Sequence, residues 1–325
     1  MRMNCSGATP RVSVVIPAYN AADTLETTLA SVIAQDLPEW EAIVVDDGST
    51  DDTRRRVRQL AACDPRITLA GGARRGVSAA RNLGVAMAHA PVVAFLDADD
   101  QWAPSKLSAQ LAHLAARPDV GVSFTRARFL TPEGVPTAAV SSGRTRGLEP
   151  AHLLHNNPAT TASTLCVRRA VFETVGGFDE GMSFAEDLEW LIRACSLSGW
   201  RVEGLDAPLT AYRTSRAGLS SDLERMRLGW EGMVARVARY APAVVARHGR
   251  AARAAQLRYL ARRALRLGLA PETSLAYLRA ALGTDWRIAL RDPYGVAGTA
   301  AVALARRLLP GPRSRRVADS TGLQP

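Results

Sequence analysis

Five acidic side chains fall in two short clusters, Asp97-Ala98-Asp99-Asp100 and Asp46-Asp47-Gly48-Ser49. Carboxylates two residues apart at the end of a buried strand can face one cation. Mg2+ and Mn2+ take oxygen ligands and commonly combine one or two carboxylates with the phosphates of a substrate. The first cluster therefore suits a cation that grips a diphosphate, although acidic turns are common by themselves. At the second cluster, Asp46 and Asp47 can accept hydrogen bonds from a base N–H or from ribose hydroxyls. Ser49, Thr50, Asp51 and Asp52 equally suit a helix N-cap turn, and both uses can hold together. In Arg75-Gly76-Val77-Ser78-Ala79-Ala80-Arg81-Asn82, Gly76 and small residues open a helix whose first N–H groups can face a phosphate. Arg81 adds a fixed charge of suitable geometry. The plain alternative is a surface arginine.

These residues need elements to position them. Val12–Ile16, Ala42–Val45, Ile67–Leu69 and Val92–Leu96 are short apolar runs. Between them lie helical patterns: Leu25, Leu29, Val32 and Ile33, then Thr53–Ala62, then Ser78–His89. Such alternation predicts βαβ units on a parallel sheet, and runs without polar alternation predict strands covered on both faces. Open α/β sheets bind ligands at the carboxyl ends of their strands. Pro17-Ala18-Tyr19-Asn20 and the two acidic clusters follow three of the runs, so they should share one edge. Further on, Val120–Phe124 and Ser163–Val167 read as strands, Thr131–Gly147 as a loop, and Glu186–Ala194 as a helix. From Leu223 the chain turns to Ala/Arg/Leu helices, with Leu257, Leu260, Ala261 and Ala264 on one face of one of them and Arg258, Arg262 and Arg266 on another.

The formal charge of +10 is uneven. From Asp222 onward there are 19 Arg and 7 acidic residues, so the first 221 residues sum to −2. The basic part suggests a membrane surface or another acidic partner, or else a solvated arginine face. No nucleic acid partner is expected. Four scattered cysteines without a C-x-x-C pair argue against structural zinc and a disulfide framework, and fit a reducing cytosol. No run reaches the ~18 apolar residues of a membrane span. Residues 1–10 lack the apolar centre of a signal peptide and are expected to be disordered, as are residues 311–325. The five histidines show no zinc spacing.

Five segments then occur in order: Val14–Asn20, Ser31–Gln35, Val44–Asp51, Ala80-Arg81-Asn82-x-Gly84 and Leu96–Asp100. Together they closely resemble glycosyltransferase family 2. Gly176-Gly177-Phe178-Asp179-Glu180, then Glu186-Asp187 with Trp190 and Arg193, extend the likeness, and Tyr212-Arg213 to Ser220 looks like the loop that closes the family's catalytic region. The resemblance covers about residues 11–220. It implies a GT-A fold, a Rossmann-like mixed sheet with helices on both faces, here followed by a basic helical region over 221–310. It also implies an inverting transfer from a nucleotide-sugar, UDP-linked by preference, to a glycan or lipid-linked acceptor, with Mg2+ or Mn2+.

Residue by residue, the resemblance lays Pro17, Ala18 and Tyr19 along the nucleoside, with Asp46 and Asp47 at base and ribose. Arg81 and Asp97 lie near the donor, joined by Gly76 on the strength of its place at the helix start, and Asp99 is the direct metal ligand. Asp187 is the general base, with Glu186 and Arg213 at the acceptor side. Chemistry agrees with the last assignments. An inverting transfer needs a base opposite the leaving diphosphate, within ~2.6–3.2 Å of the acceptor hydroxyl. Two acids in the first turn of a helix also suit its dipole without any catalytic role. Processive relatives carry Gln-x-x-Arg-Trp and membrane spans, which this sequence lacks. One sugar per encounter is therefore expected, with a cytoplasmic location that allows peripheral contact with the membrane's inner face.

Overall fold

The computed structural model describes residues 9–214 and 222–308. It divides into two compact units, one up to Ala252 and one from Arg253.

The first unit is built on a nine-stranded mixed sheet. Strand β1 (Val12–Ala18) lies between β2 (Trp40–Asp46) and β4 (Val92–Phe95), and β3 (Ile67–Gly71) extends the β2 side. These four are parallel, as the alternation of runs predicts. Their register matters for function. Ala18 pairs with Asp46, Asp46 with Gly71, and Val15 with Phe95. The residues just past β1, β2 and β4 therefore emerge together at one edge.

Both faces of these strands are covered. Val12, Val14 and Ile16 point to one core with Leu25, Leu29 and Val32 of α1 (Leu25–Ile33). Val57 of α2 (Thr53–Cys63) and Leu107 and Leu114 of α4 (Lys106–Ala116) join them. Val15, Val45, Val93 and Phe95 point to the other core, which holds Ala80 of α3 (Val77–Met87). Two-sided burial explains why the strand sequences lack polar alternation.

Helix α3 approaches β1 closely enough that a Cβ on Gly84 would collide with the Val15 side chain. Gly84→Ala should therefore cost about 1–3 kcal/mol of stability as an overpacking change, read as a lower urea midpoint with an unchanged slope.

The second half makes the sheet mixed, as the resemblance implies. Strand β8 (Cys166–Arg168) pairs antiparallel with both β4 and β6 (Val120–Leu130). The long β9 (Arg201–Arg213) runs parallel to β6, and β5 (Gln101–Trp102) pairs antiparallel with β9. Strand β9 has no counterpart in the sequence reading. Its half-buried, interrupted pattern carries no clean period of two. Within the segment expected to be a loop, β7 (Pro136–Val140) forms a ribbon with β6. It is almost wholly exposed, so it carries no apolar signal. The expected strand start at Ser163 is instead a 3-10 turn over Ala162–Thr164.

On the α3 face, α5 (Pro150–His155), α6 (Arg169–Val175) and α7 (Glu186–Leu197) complete the cover. Phe172 stacks on Trp190 at 4.6 Å between ring centres, and Phe178 packs beside both. Helix α8 (Leu223–Tyr240) belongs to this unit, although the change in composition suggested a boundary near residue 220. Its Trp230, Met233 and Val237 are buried in the same core as Trp190, and Tyr240 donates to the Glu189 carbonyl. Arg236 ties it to Asp179. The arginine-rich composition here reflects the outer face of a helix whose inner face completes the first core.

The division after Ala252 falls within α9 (Pro242–Arg266). The second unit holds the end of that helix, α10 (Pro271–Thr284), α11 (Ile288–Arg291) and α12 (Pro293–Leu308). Leu257, Leu260, Ala261 and Ala264 are buried, as their spacing predicts. Leu265, Leu275 and Ala303 form a small core. Residues 1–8, 215–221 and 309–325 lie outside the described residues. So do most of the expected disordered ends and of the closing loop up to Ser220.

Candidate active site

The shared strand edge is knitted together by polar contacts. Asn20, just past β1, donates its backbone N–H to Ser49 Oγ at 3.0 Å and accepts from Thr50 N–H at 2.8 Å. Asp46 is wholly enclosed, and both of its oxygens are engaged: one accepts from Ser49 N–H at 3.1 Å, the other from Arg54 Nη1 at 2.8 Å. Asp47 is half-buried. Its carboxylate accepts from the backbone N–H groups of Arg75 (2.6 Å) and Gly76 (3.0 Å), fixing the loop that enters α3. Gly76 has φ +94 and open space where a Cβ would stand, so the loop leaves room beside the helix start. Tyr19 is partly exposed, and the Arg74 guanidinium lies 4.5 Å over its ring, forming a flat shelf at the rim. Pro17 and Ala18 are buried at the end of β1.

The deeper part of the edge is organised by Arg81. Although it sits on a helix, its side chain is only 5% exposed. Nη2 meets Asp97 Oδ1 at 2.8 Å and Nη1 meets Glu186 Oε1 at 2.7 Å. Burial works against its charge, but Asp97 and then Glu186 outweigh that and hold its pKa above the ordinary value. One guanidinium thus joins the loop after β4 to the start of α7. Arg81 itself is 105 residues from Glu186 in the sequence. Asn82 adds a second clamp, exchanging hydrogen bonds with the backbone of Phe178.

The acidic turn after β4 has an internal support that the sequence reading did not identify. Ser163 Oγ accepts from Asp97 N–H at 2.9 Å and donates to Asp100 Oδ2 at 2.6 Å. Thr161 Oγ1 donates to Asp97 Oδ2 at 3.2 Å. Asp100 is fully buried and also accepts from Arg213 N–H at 2.8 Å, while Arg213 Nε donates to the Asp99 carbonyl at 3.1 Å. Burial, then Asp99 and Asp97, raise the Asp100 pKa. This places Arg213 beside the acidic turn, where the resemblance implied an acceptor-side residue. The polar run Thr160–Thr164 was the available signal for this support, since buried hydroxyls in a strand-like stretch need partners.

Asp99 differs from its neighbours. Its carboxylate accepts no hydrogen bond from another described residue, and burial followed by repulsion from Asp97 pushes its pKa up to about 6. A divalent cation at this group would favour its ionised form. Among the described residues there is no group of three or more His, Cys, Asp or Glu side chains arranged to hold a metal ion. Mg2+ and Mn2+ do not require one, because substrate phosphates and water commonly complete their shells. The donor set fits such an ion in that mode, with Asp99 as the available oxygen ligand.

Asp187 lies in the first turn of α7, where Asn157 Nδ2 reaches its Oδ2 at 3.3 Å. Burial, then the adjacent Glu186, push its pKa up to about 6, while Arg81 pulls it down and Asp97 pushes it up. Asp97 and Glu186, the residue next to Asp187, share the Arg81 guanidinium, which brings Asp187 into their neighbourhood. Among the described residues, three non-glycine positions have positive φ: Asn20, Thr160 and Ala185. Each adjoins a segment just described, and Ala185 immediately precedes Glu186 and Asp187. Such backbone is tolerated only where its surroundings impose it, and it clusters at functional sites.

Comparisons with known proteins bear on the family and the fold. The model of "Glycosyl transferase family 2" matches residues 13–176. A Bacillus subtilis protein named as a teichuronic acid biosynthesis glycosyltransferase, TuaG, is 41% identical over 128 residues, 39% of this chain and 50% of its own. The Escherichia coli UDP-Glc:alpha-D-GlcNAc-diphosphoundecaprenol beta-1,3-glucosyltransferase WfgD is 38% identical over 102 residues, 31% of this chain and 40% of its own. The chain thus spans about half the length, or less, of these curated relatives. Among solved structures, the mannosyltransferase PcManGT of Pyrobaculum calidifontis, in complex with GDP-Man and Mn2+, is similar with a TM-score of 0.59. That similarity covers 94% of this chain and 89% of that one at 23% identity, and so speaks to the fold alone. The fold is the mixed-sheet GT-A architecture. With the family model matched over half its length, the chain belongs to glycosyl transferase family 2.

Proposed function

We propose that this protein transfers a single sugar, with inversion, from a nucleotide-diphosphate sugar to a hydroxyl of a glycan or lipid-linked acceptor. The observation that carries the reading is the buried Arg81 bridge, which gathers Asp97, Glu186 and Asp187 beside the acidic turn. Family membership supports the reaction class. A UDP-sugar donor and a lipid-diphosphate acceptor are supported by the name of WfgD, which contains both.

In this reading the nucleoside lies on the Tyr19–Arg74 shelf along Pro17 and Ala18. Asp46, enclosed and fully engaged, acts indirectly by holding the 46–49 turn, and Asp47 acts through the Arg75-Gly76 loop and its remaining lone pairs. Asp97, fixed by Arg81, Thr161 and Ser163, faces the sugar-diphosphate. Asp99 holds Mg2+ or Mn2+, which supplies charge compensation for the departing diphosphate. Asp187 takes the proton of the acceptor hydroxyl. Arg213, held by Asp100, and Glu186 border the acceptor side.

The direct test is transfer and donor hydrolysis with and without Mn2+, following a thermal-shift screen of nucleotide-sugars. Asp99→Ala is expected to remove most of the Mn2+-dependent stabilisation by UDP, since ligand bound to the native state raises stability by mass action. Equal Mn2+-dependent shifts in wild type and variant would exclude Asp99 as the metal ligand.

A further inference from the structure

The second unit turns an uncharged face outward. Helix α12 seats Thr299 and Ala303 inward, where Ala303 joins the core of Leu265 and Leu275. At ~100° per residue, the opposite side of the helix carries Tyr294, Ala297, Ala301, Leu304 and Leu308. All five are exposed, Tyr294 to 91% and Leu308 to 77%. The preceding turn adds Trp286 and Leu290, four residues apart and 59% and 69% exposed. The helix's two arginines are directed away from this stripe. Arg306 Nη1 donates to the Leu265 carbonyl at 2.7 Å, and Arg307 faces Glu272 at 3.5 Å.

The charge around the stripe is one-sided. From Arg253 to the last residue there are thirteen Arg and four acidic residues. The three acids among the described residues, Glu272, Asp285 and Asp292, are each paired with an arginine: Arg307, Arg291 and Arg258 respectively. Single exposed apolar side chains are ordinary, whereas a stripe of them with Trp and Tyr in an arginine-rich unit is the pattern of a helix lying in a bilayer interface. No described helix is long and apolar enough to cross a membrane. A second copy of this chain would bring one arginine-rich unit against another, which repulsion disfavours.

We propose that this face docks on an anionic lipid surface. Helix α12 lies in the headgroup plane, with Tyr294, Leu304 and Leu308 entering the acyl boundary. Trp286 and Leu290 extend the contact, and the unit's excess of arginine over acidic residues attracts it to lipid phosphates. This goes beyond the sugar-transfer reading and does not depend on it.

The test is co-sedimentation of the full chain with vesicles of phosphatidylglycerol and phosphatidylcholine, against phosphatidylcholine alone, with no donor or acceptor present. The wild type should pellet with the anionic vesicles, less so at high salt. Leu290→Glu/Leu304→Glu should bind about tenfold more weakly, with an unchanged thermal melt because both positions face solvent. If that melt shifts, Leu290→Gln/Leu304→Gln repeats the test without added charge. Failure of the wild type to pellet, or equal pelleting by the variants, overturns the proposal. So does a wild-type dimer that the substitutions dissociate without any lipid binding.

Discussion

Asp187→Asn is expected to lower the transfer rate by ~10^2–10^4-fold while leaving donor binding nearly intact. The amide keeps the shape of the carboxylate and can still reach Asn157, so α7 should start as before. What is lost is the capacity to take a proton. The environment explains why this side chain suits the task. Burial and the adjacent Glu186 push its pKa up to about 6, closer to neutrality than an ordinary aspartate. A base works only when ionised, so turnover should rise with pH through about 6 and level off above it. The residual rate of the Asn variant should lack that limb. Steady-state rates across this range, with UDP–Mn2+ affinity measured in parallel, check both halves of the expectation. If Asp187 served only the helix dipole, the variant would keep its turnover. That outcome would remove Asp187 as the base without touching the family assignment.

Much of the catalytic unit was legible because its signals are local. Strands β1, β2 and β4 are mostly apolar, valine-rich runs, and two-sided burial leaves no polar alternation to confuse them. The turns that follow them are acidic, and parallel register delivers them to one edge. What stayed hidden depends on partners distant in the chain. Ser163 reads as a strand residue, yet it is the hydroxyl that fixes Asp97 and Asp100. Asn157 sits in a segment without periodicity and meets Asp187 only through the fold. Strand β9 pairs with β6 over most of its length, but its mixed burial gives no periodic trace. The pattern also misleads at Asp46. A carboxylate at a strand end looks ready for a ligand, whereas here Arg54 and Ser49 occupy both of its oxygens. Helix α8 shows the same limit, since its arginines dominate the composition while Trp230 and Met233 decide where it packs.

Arg81→Leu is expected to be the most damaging substitution to the fold of the site, costing about 3–5 kcal/mol. Contrast it with the exposed Arg75–Glu180 pair, also formed across 105 residues at 2.9 Å. Removing that pair should cost between zero and ~1 kcal/mol, because water solvates what is left behind. At Arg81 water is excluded, and leucine would leave Asp97 and Glu186 facing each other without a counter-charge. A lower thermal midpoint and a lower urea midpoint should report this. Arg81→Lys separates charge from geometry. It keeps a cation in the neighbourhood but cannot span both carboxylates with one planar fork. Because Arg81 holds the Asp187 pKa down, weakening its hold should move the rising limb of the rate profile to higher pH. A merely structural arginine would lower stability in the Lys variant and leave that limb in place. Movement of the limb would show that the buried cation sets the base's working range as well as joining α7 to the acidic turn.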